Sequence, residues 1–279
     1  TAYQKFQVKK KVLFPLSYHY RASLTKDVLN GMQQLVNDCK KVFRNNLKKK
    51  IVLDIGCNDG SLLNMFKKKE CITIGVEPTN ACNEAKRKGH YTYKGYFNKK
   101  IAEKIKKKFK KIDIITFTNV FAHIENLREL IFNIKKILND ETILVIENHY
   151  LGSVIEKNQF DTFYHEHPRT YSLTSFLKIS EILEMKLFKF ALPKRYGGNI
   201  RVFYSRSKSK KIKRSNLLKK EKNLFNKIKS LNKSIKVWKM KKRSEILNLN
   251  QKYGPLPAKA FPGRAAILLK ILNLNNKNI

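Results

Sequence analysis

Four consecutive positions, Tyr164, His165, Glu166 and His167, place a phenol, two imidazoles and a carboxylate inside FDTFYHEHPRTY, residues 160–171. A packed core has no use for that mixture. Imidazole is the side chain that titrates near neutrality without help, and a carboxylate beside it can orient and charge-stabilise it. The chemistry offered is proton transfer, so this stretch is read as the segment that carries a reaction.

The elements that must position it follow from apolar spacing. Residues 12–21, VLFPLSYHYR, read as an extended arm interrupted by Pro15. Thr25 can then cap a helix, because Val28, Leu29, Met32, Leu35, Val36 and Cys39 recur at helical spacing. Tyr18 and Tyr20 stand just before it, either packing the arm or lining a pocket. From residue 50 short apolar runs alternate with helical segments, the rhythm of a parallel α/β sheet. Strands are predicted over 51–55, 71–76, 112–117 and 142–147, with helices over 61–68, 80–88 and 127–138. Ser172 or Thr174 can cap a helix ending at Leu183, and strands follow near 187–192 and 200–204. The second is introduced by Arg195-Tyr196-Gly197-Gly198, whose glycines allow a tight turn or close backbone approach. Residues 205–250 read as a lysine-rich amphipathic helix or helix pair, its stripe running from Leu217 to Trp238.

Two further constellations fall at strand ends. The first is LDIGCNDG, residues 53–60, between a strand and a helix, with Glu77 closing the next strand. Glycines there let backbone amides approach a ligand, and an acidic residue after the second strand can accept ribose hydroxyls. Asn58 stands where the dinucleotide fingerprint G-x-G-x-x-G has its second glycine. The pattern is closer to the D-x-G-x-x-x-G turn of class I S-adenosylmethionine methyltransferases, with another nucleotide-binding α/β fold as the competing reading. Asp54, Gly56, Asn58, Gly60 and Glu77 are the candidate cofactor residues. The second constellation is FTNVFAHI, residues 117–124, which should bring Asn119 to the cofactor and His123 to the border of the crevice; a helix-capping role for His123 competes. ENHYLG, residues 147–152, leads from the next strand towards residues 160–171.

Taken together, Tyr18, DIGCNDG, Val76-Glu77-Pro78, Ala122-His123-Ile124, Glu147 to Gly152 and Tyr164-x-Glu166-His167 occur in the order and spacing of a known family. The chain resembles the S-adenosylmethionine-dependent sugar C-methyltransferases that act on nucleotide-linked keto-deoxysugars. The resemblance implies a class I Rossmann-like doubly wound α/β sheet and methylation of the carbon next to a 4-keto group. It implies His167 as the base, Glu166 and Tyr164 as its supporting neighbours, and Tyr18 and His123 as pocket residues, with His165 a bystander. Such enzymes also carry an N-terminal zinc-binding domain and a C-terminal Rossmann-like domain. Here the zinc cysteines are not seen, and YGPLPAKAFPGRAAILL, residues 253–269, reads as only the opening of an incomplete C-terminal α/β region.

The expected organisation is an N-terminal arm and helix over 1–46 and an S-adenosylmethionine-binding core over 47–150. The catalytic segment over 151–204 completes the domain, and 205–279 forms a basic helical region with the start of the C-terminal domain. Cys39, Cys57, Cys71 and Cys82 are too widely spaced for a zinc knuckle or disulfide framework, so no metal site is expected. No apolar run approaches the roughly 20 residues of a membrane span, and a cytoplasmic location is expected. The net charge of +39 would favour polyanions. Its lysines are dispersed along the whole chain rather than clustered with aromatics, which argues against a nucleic-acid partner; the densest block is 205–214. The alternatives left open are an O- or N-methyltransferase on another small molecule, a basic RNA-binding protein on the same fold, and an inactive relative.

Overall fold

In the computed structural model the described residues are 1–208, 212, 216–258 and 265–279. The N-terminal segment holds β1 (Ala2–Tyr3), the one-turn helix α1 (Lys10–Leu13) and α2 (Lys26–Val42). The core then alternates β2 (Ile51–Ile55), α3 (Ser61–Lys67), β3 (Ile72–Glu77), α4 (Ala81–Arg87), β4 (Tyr91–Lys94), α5 (Lys99–Lys108), β5 (Ile114–Thr118), α6 (Leu127–Ile137) and β6 (Ile143–His149). It continues through α7 (Leu151–Glu156), β7 (Arg169–Thr170), α8 (Leu173–Leu183), β8 (Lys186–Ala191) and β9 (Asn199–Ser205). Three helices follow, α9 (Asn216–Glu221), α10 (Leu224–Tyr253) and α11 (Ala265–Leu272).

Seven strands form one sheet in the order β4-β3-β2-β5-β6-β9-β8. β2 to β6 run parallel, and β9 is antiparallel to both of its neighbours. Central strands such as ILVIENH are buried almost throughout, as a sheet covered on both faces requires. One face packs on α2, α3 and α4 through Leu35, Val36, Leu62, Leu63, Phe66 and Ala85. The other packs on α5, α6 and α8 through Ile101, Ile105, Leu130, Ile134, Phe176 and Leu183. The strand order reverses between β2 and β5, and a ligand crevice lies outside the carboxyl ends of strands at such a switch point.

The helix predicted after Thr25 is present and buries Val28, Met32, Leu35, Val36 and Cys39, but Thr25 makes no side-chain cap bond. Ser172 does cap α8, in a reciprocal box with Ser175. The arm is not simply extended: Lys10–Leu13 turns once as helix before Pro15. The sequence reading passed over β4, α5, α7 and the two-residue strands β1 and β7. β4 is a four-residue edge strand, and α5 buries Ile101, Ala102 and Ile105 at helical spacing, a short stripe set among lysines. The lysine-rich stretch is a helix pair. Its α10 packs Leu224, Ile228, Leu231 and Ile235 against Leu151 and Ile155 of α7, and Trp238 meets Phe160 edge-on at 5.0 Å. Parts of two sequence readings, residues 209–211 and 213–214 of the basic block and 259–264 of the C-terminal motif, lie outside the described residues. All four cysteines are free and buried. Among the described residues no helix is long and apolar enough to cross a membrane, and no group of His, Cys, Asp or Glu could hold a metal ion.

Candidate active site

A cavity of about 580 Å³ opens at the switch point, within the size range of small-molecule sites, roughly 300–1,000 Å³. Its walls include Asp54, Gly56, Asn58 and Glu77 at one end and His123, His149, Tyr164, Glu166 and His167 at the other. Tyr18 and Asn119 also line it, so of the candidate residues only Gly60 stands behind the wall.

The first end is built from a tight turn. Gly56 has φ +78°, and a Cβ there would meet Val120 Cγ2 at 2.4 Å. Gly60, at φ +79°, packs against Ala85 and His90 beneath the turn. The Gly56 and Cys57 amides donate to the Val76 carbonyl at 2.8 and 3.1 Å, which clamps the turn to β3. Asp54 lies buried under it and accepts from the Thr116 hydroxyl at 2.7 Å. Burial pushes its carboxyl up to about 7, with the Thr116 bond opposing and Glu77 adding to the rise. Asp59 is also buried, yet its carboxyl is held below the usual range. Burial alone would raise it; bonds from Ser23 and Ser61 and the Lys88 ammonium outweigh that.

Glu77 ends β3 with both carboxylate oxygens in use. Oε1 accepts from the Thr79 amide at 3.0 Å and its hydroxyl at 2.7 Å, and Oε2 from the Asn58 amide at 3.0 Å. An ionised oxygen takes about two bonds, so Oε2 retains acceptor capacity. Asn58 itself is left-handed, at φ +50°, and its side chain turns away from this end to the N-terminal arm.

The second end is a stack of imidazoles. His167 stands in the middle, with ring centroids 5.1 Å from His123 and 5.0 Å from His149. Tyr164 lies edge-on to His167 at 4.5 Å, and Phe14 edge-on to His123 at 5.1 Å. His167 is buried, and its Nδ1–H donates to the Thr162 carbonyl at 3.1 Å. A carbonyl can only accept, so the neutral ring carries its lone pair on Nε2. His123 Nδ1–H donates to the Glu166 carbonyl in the same way. Burial lowers the pKa of His123, the carbonyl bond opposing, which keeps it neutral. The Tyr164 hydroxyl donates to the Glu166 carboxylate at 3.1 Å. The tautomer of His167 is therefore set by a backbone carbonyl, whereas adjacency in sequence pointed to Glu166. Burial, with Glu166 and Glu77 adding to it, pushes the Tyr18 phenol up to about 12, so it keeps its proton at neutral pH. His165 is exposed and stands outside the cavity wall.

Behind the stack Glu147 is fully buried. It takes Arg201 Nε at 2.6 Å and Asn199 Nδ2 at 3.0 Å, and Arg201 also reaches Asp38 at 2.7 Å. Asn199 Nδ2 also donates to Asn119 Oδ1 at 3.2 Å, and the Asn119 amide donates to the Glu147 carbonyl at 2.8 Å. Glu147 is thus a brace for Asn119. Sequence reading assigned no role to His149, Phe14 or Arg195. His149 follows Glu147 at the end of β6, so the strand end was its signal; Phe14 and Arg195 reach the cavity through tertiary packing that no local pattern reports.

The chain is similar to known methyltransferases. Residues 27–181, more than half of the chain, match the family described as "Methyltransferase domain". The C-methyltransferase NovU of Streptomyces niveus is 28% identical over 198 residues, 70% of this chain and 46% of that protein. The chain therefore spans about half the length of this curated relative. The PH0226 protein of Pyrococcus horikoshii OT3 is 14% identical and aligns with a TM-score of 0.52 over 70% of this chain and 97% of its own, which shows the shared fold. Magnesium protoporphyrin IX methyltransferase of Synechocystis PCC 6803, solved with bound SAH, aligns over 65% of this chain and 86% of its own, at 19% identity and a TM-score of 0.49.

The residues present fit a methyl donor of nucleoside type. A left-handed glycine turn brings backbone close to the cavity, and Glu77 offers a carboxylate oxygen for ribose hydroxyls. The fold is a Rossmann-like α/β sheet, and the chain belongs to the methyltransferase domain family, with S-adenosylmethionine as its methyl donor.

Proposed function

We propose that the chain is a C-methyltransferase that acts on the carbon next to the ketone of a nucleotide-linked 4-keto-deoxysugar. The observation that carries this reading is His167 itself, held through Nδ1 by the Thr162 carbonyl in the wall of the same cavity as the glycine turn. C–H bonds next to a ketone need a base before they react. Oxygen and nitrogen acceptors carry their own lone pairs and need less. The similarity to a protein named as a C-methyltransferase supports the same reading.

In this reading His167 Nε2 takes the α-proton and becomes an imidazolium. Tyr164 and Glu166 hold the segment that carries it, and the carbonyl of Thr162 keeps the ring oriented. Tyr18, protonated at neutral pH, is the donor for the enolate oxygen, where a placed hydrogen bond contributes several kcal/mol. Neutral His123 lines the pocket without adding a positive charge beside the base. Asp54, Gly56, Asn58, Gly60, Glu77 and Asn119 hold or shape the donor end. S-adenosylmethionine, bound there, supplies the electrophilic methyl that the enolate carbon takes.

The test is incubation with S-adenosylmethionine and a panel of nucleotide-linked 4-keto-sugars, followed by mass spectrometry and NMR of the product. A gain of one methyl on carbon is expected. A methyl on oxygen or nitrogen would instead establish the competing acceptor class.

A further inference from the structure

The N-terminal arm reaches both ends of the cavity, and Asn58 fastens it to the donor turn by two side-chain bonds. Asn58 Oδ1 accepts from the Ala22 amide at 3.0 Å, and Asn58 Nδ2 donates to the Tyr20 carbonyl at 3.0 Å. Both bonds go to arm backbone. Its own amide meanwhile donates to Glu77 Oε2 at 3.0 Å, so one residue touches the ribose-binding carboxylate and the arm together. Next to it Asp59 Oδ2 accepts from the Ser23 amide at 3.3 Å. Farther out, Arg21 pairs with Glu84 at 2.7 Å and the Asn80 amide donates to the Leu16 carbonyl at 2.9 Å.

What the arm carries past this joint is the opposite end of the site. Phe14 packs on His123, and Tyr18 stands 5.4 Å from Phe14, close enough to Glu166 and Glu77 for both to raise its pKa. Phe14, Tyr18 and Tyr20 all line the cavity. A donor seated on the turn therefore meets the arm only when the arm is closed, and an acceptor beside the histidines meets the same closed arm. Two ligands that both favour one state of a shared element bind cooperatively, and the coupling is reciprocal.

We propose that Asn58 is a positioning residue: it latches the arm to the donor turn, so that donor binding sets the acceptor wall formed by Phe14 and Tyr18. The acceptor half of this statement rests on the methyltransferase function proposed above; the latch itself does not. The left-handed backbone at Asn58 suits glycine, so Asn58→Gly removes both latch bonds without backbone strain.

The test uses Asn58→Gly, with Arg21→Gln as a second variant that weakens the arm elsewhere, and circular dichroism to confirm that both fold. Trypsin cleavage after Lys11 and Lys26, sites that both variants keep, is followed with and without S-adenosylmethionine, and donor affinity is measured by calorimetry. In the wild type the donor is expected to slow cleavage. With donor saturating, the protection in Asn58→Gly is expected to fall by about tenfold and the acceptor KM to rise about tenfold, within the usual 5- to 150-fold span of site coupling. Arg21→Gln should shift each value the same way by less. Equal protection in wild type and Asn58→Gly would overturn the latch, as would an unchanged acceptor KM. Because the proteolysis needs no acceptor, loss of donor protection in Asn58→Gly supports the latch even if no keto-sugar is methylated, and that failure counts against the proposed function alone.

Discussion

The donor end of the cavity comes from one short stretch, residues 54–60, with Glu77 added from the next strand, and it works mainly through backbone and carboxylates. The histidine end collects Phe14 and Tyr18 from the arm, His123 after β5, His149 from β6 and His167 from the segment beyond α7. Its His167 and His123 are oriented by the carbonyls of Thr162 and Glu166. One end is a local motif that needs only a strand-turn-helix; the other exists only once the whole sheet has closed. In the proposed function, binding a donor and activating an acceptor therefore fall on structures of different kinds, and each can be damaged without the other.

The largest separation is expected from His167→Asn. Removing a general base lowers turnover by about 10²- to 10⁴-fold, and donor affinity, measured by calorimetry, should stay at the wild-type value. Gly56→Ala attacks the other end. The left-handed φ and the 2.4 Å approach to Val120 force the turn open, costing about 1–3 kcal/mol, read as a 10- to 100-fold weaker donor Kd. Glu77→Gln keeps the shape but removes the charge from the ribose acceptor, and a donor Kd about tenfold weaker is expected. In the same variant, solvent exchange of the acceptor α-proton should persist without donor.

A separate effect, on stability rather than binding, is a dependence on pH. The Asp54 carboxyl is raised from 3.8 to about 7 in the folded protein, so between those values the native state holds a proton that the unfolded chain has lost. Stability from this group is therefore present at low pH and falls as pH rises towards 7, by at most about 1.4 kcal/mol per unit. Asp54→Asn should flatten that slope in denaturant titrations from about pH 4 to 7, leaving the histidine end unchanged.

The same contrast explains what was legible in the sequence. DIGCNDG and Glu77 were readable because glycine positions and a strand-closing carboxylate are local requirements of the fold. His123 and His167 could be picked out because a reactive side chain at a strand end, or four in a row, has no packing rationale. His149 carried the same strand-end mark, but a lone histidine after a buried strand has several uses and no role was assigned to it. Thr162 was invisible because its carbonyl, not its side chain, fixes the base. Glu147 was placed at the crevice by its strand end, and its work as a brace appears only with Arg201 and Asn199, more than fifty residues away. Asn58 was legible as a departure from glycine, though its partners on the arm were not. The β4–α5 unit was passed over because a four-residue edge strand leaves little trace and the helical spacing of Ile101, Ala102 and Ile105 is set among lysines.

The claim that most needs testing is that His167 removes a proton from carbon. It is tested most directly by incubating the protein with a nucleotide-linked 4-keto-deoxysugar in deuterated water without donor, and following the carbon-bound proton next to the ketone by NMR. Exchange of that proton by the wild-type protein and its loss in His167→Asn are the expected results. Wild-type exchange no faster than in buffer, or undiminished exchange in His167→Asn, would contradict the assignment of His167 as the base.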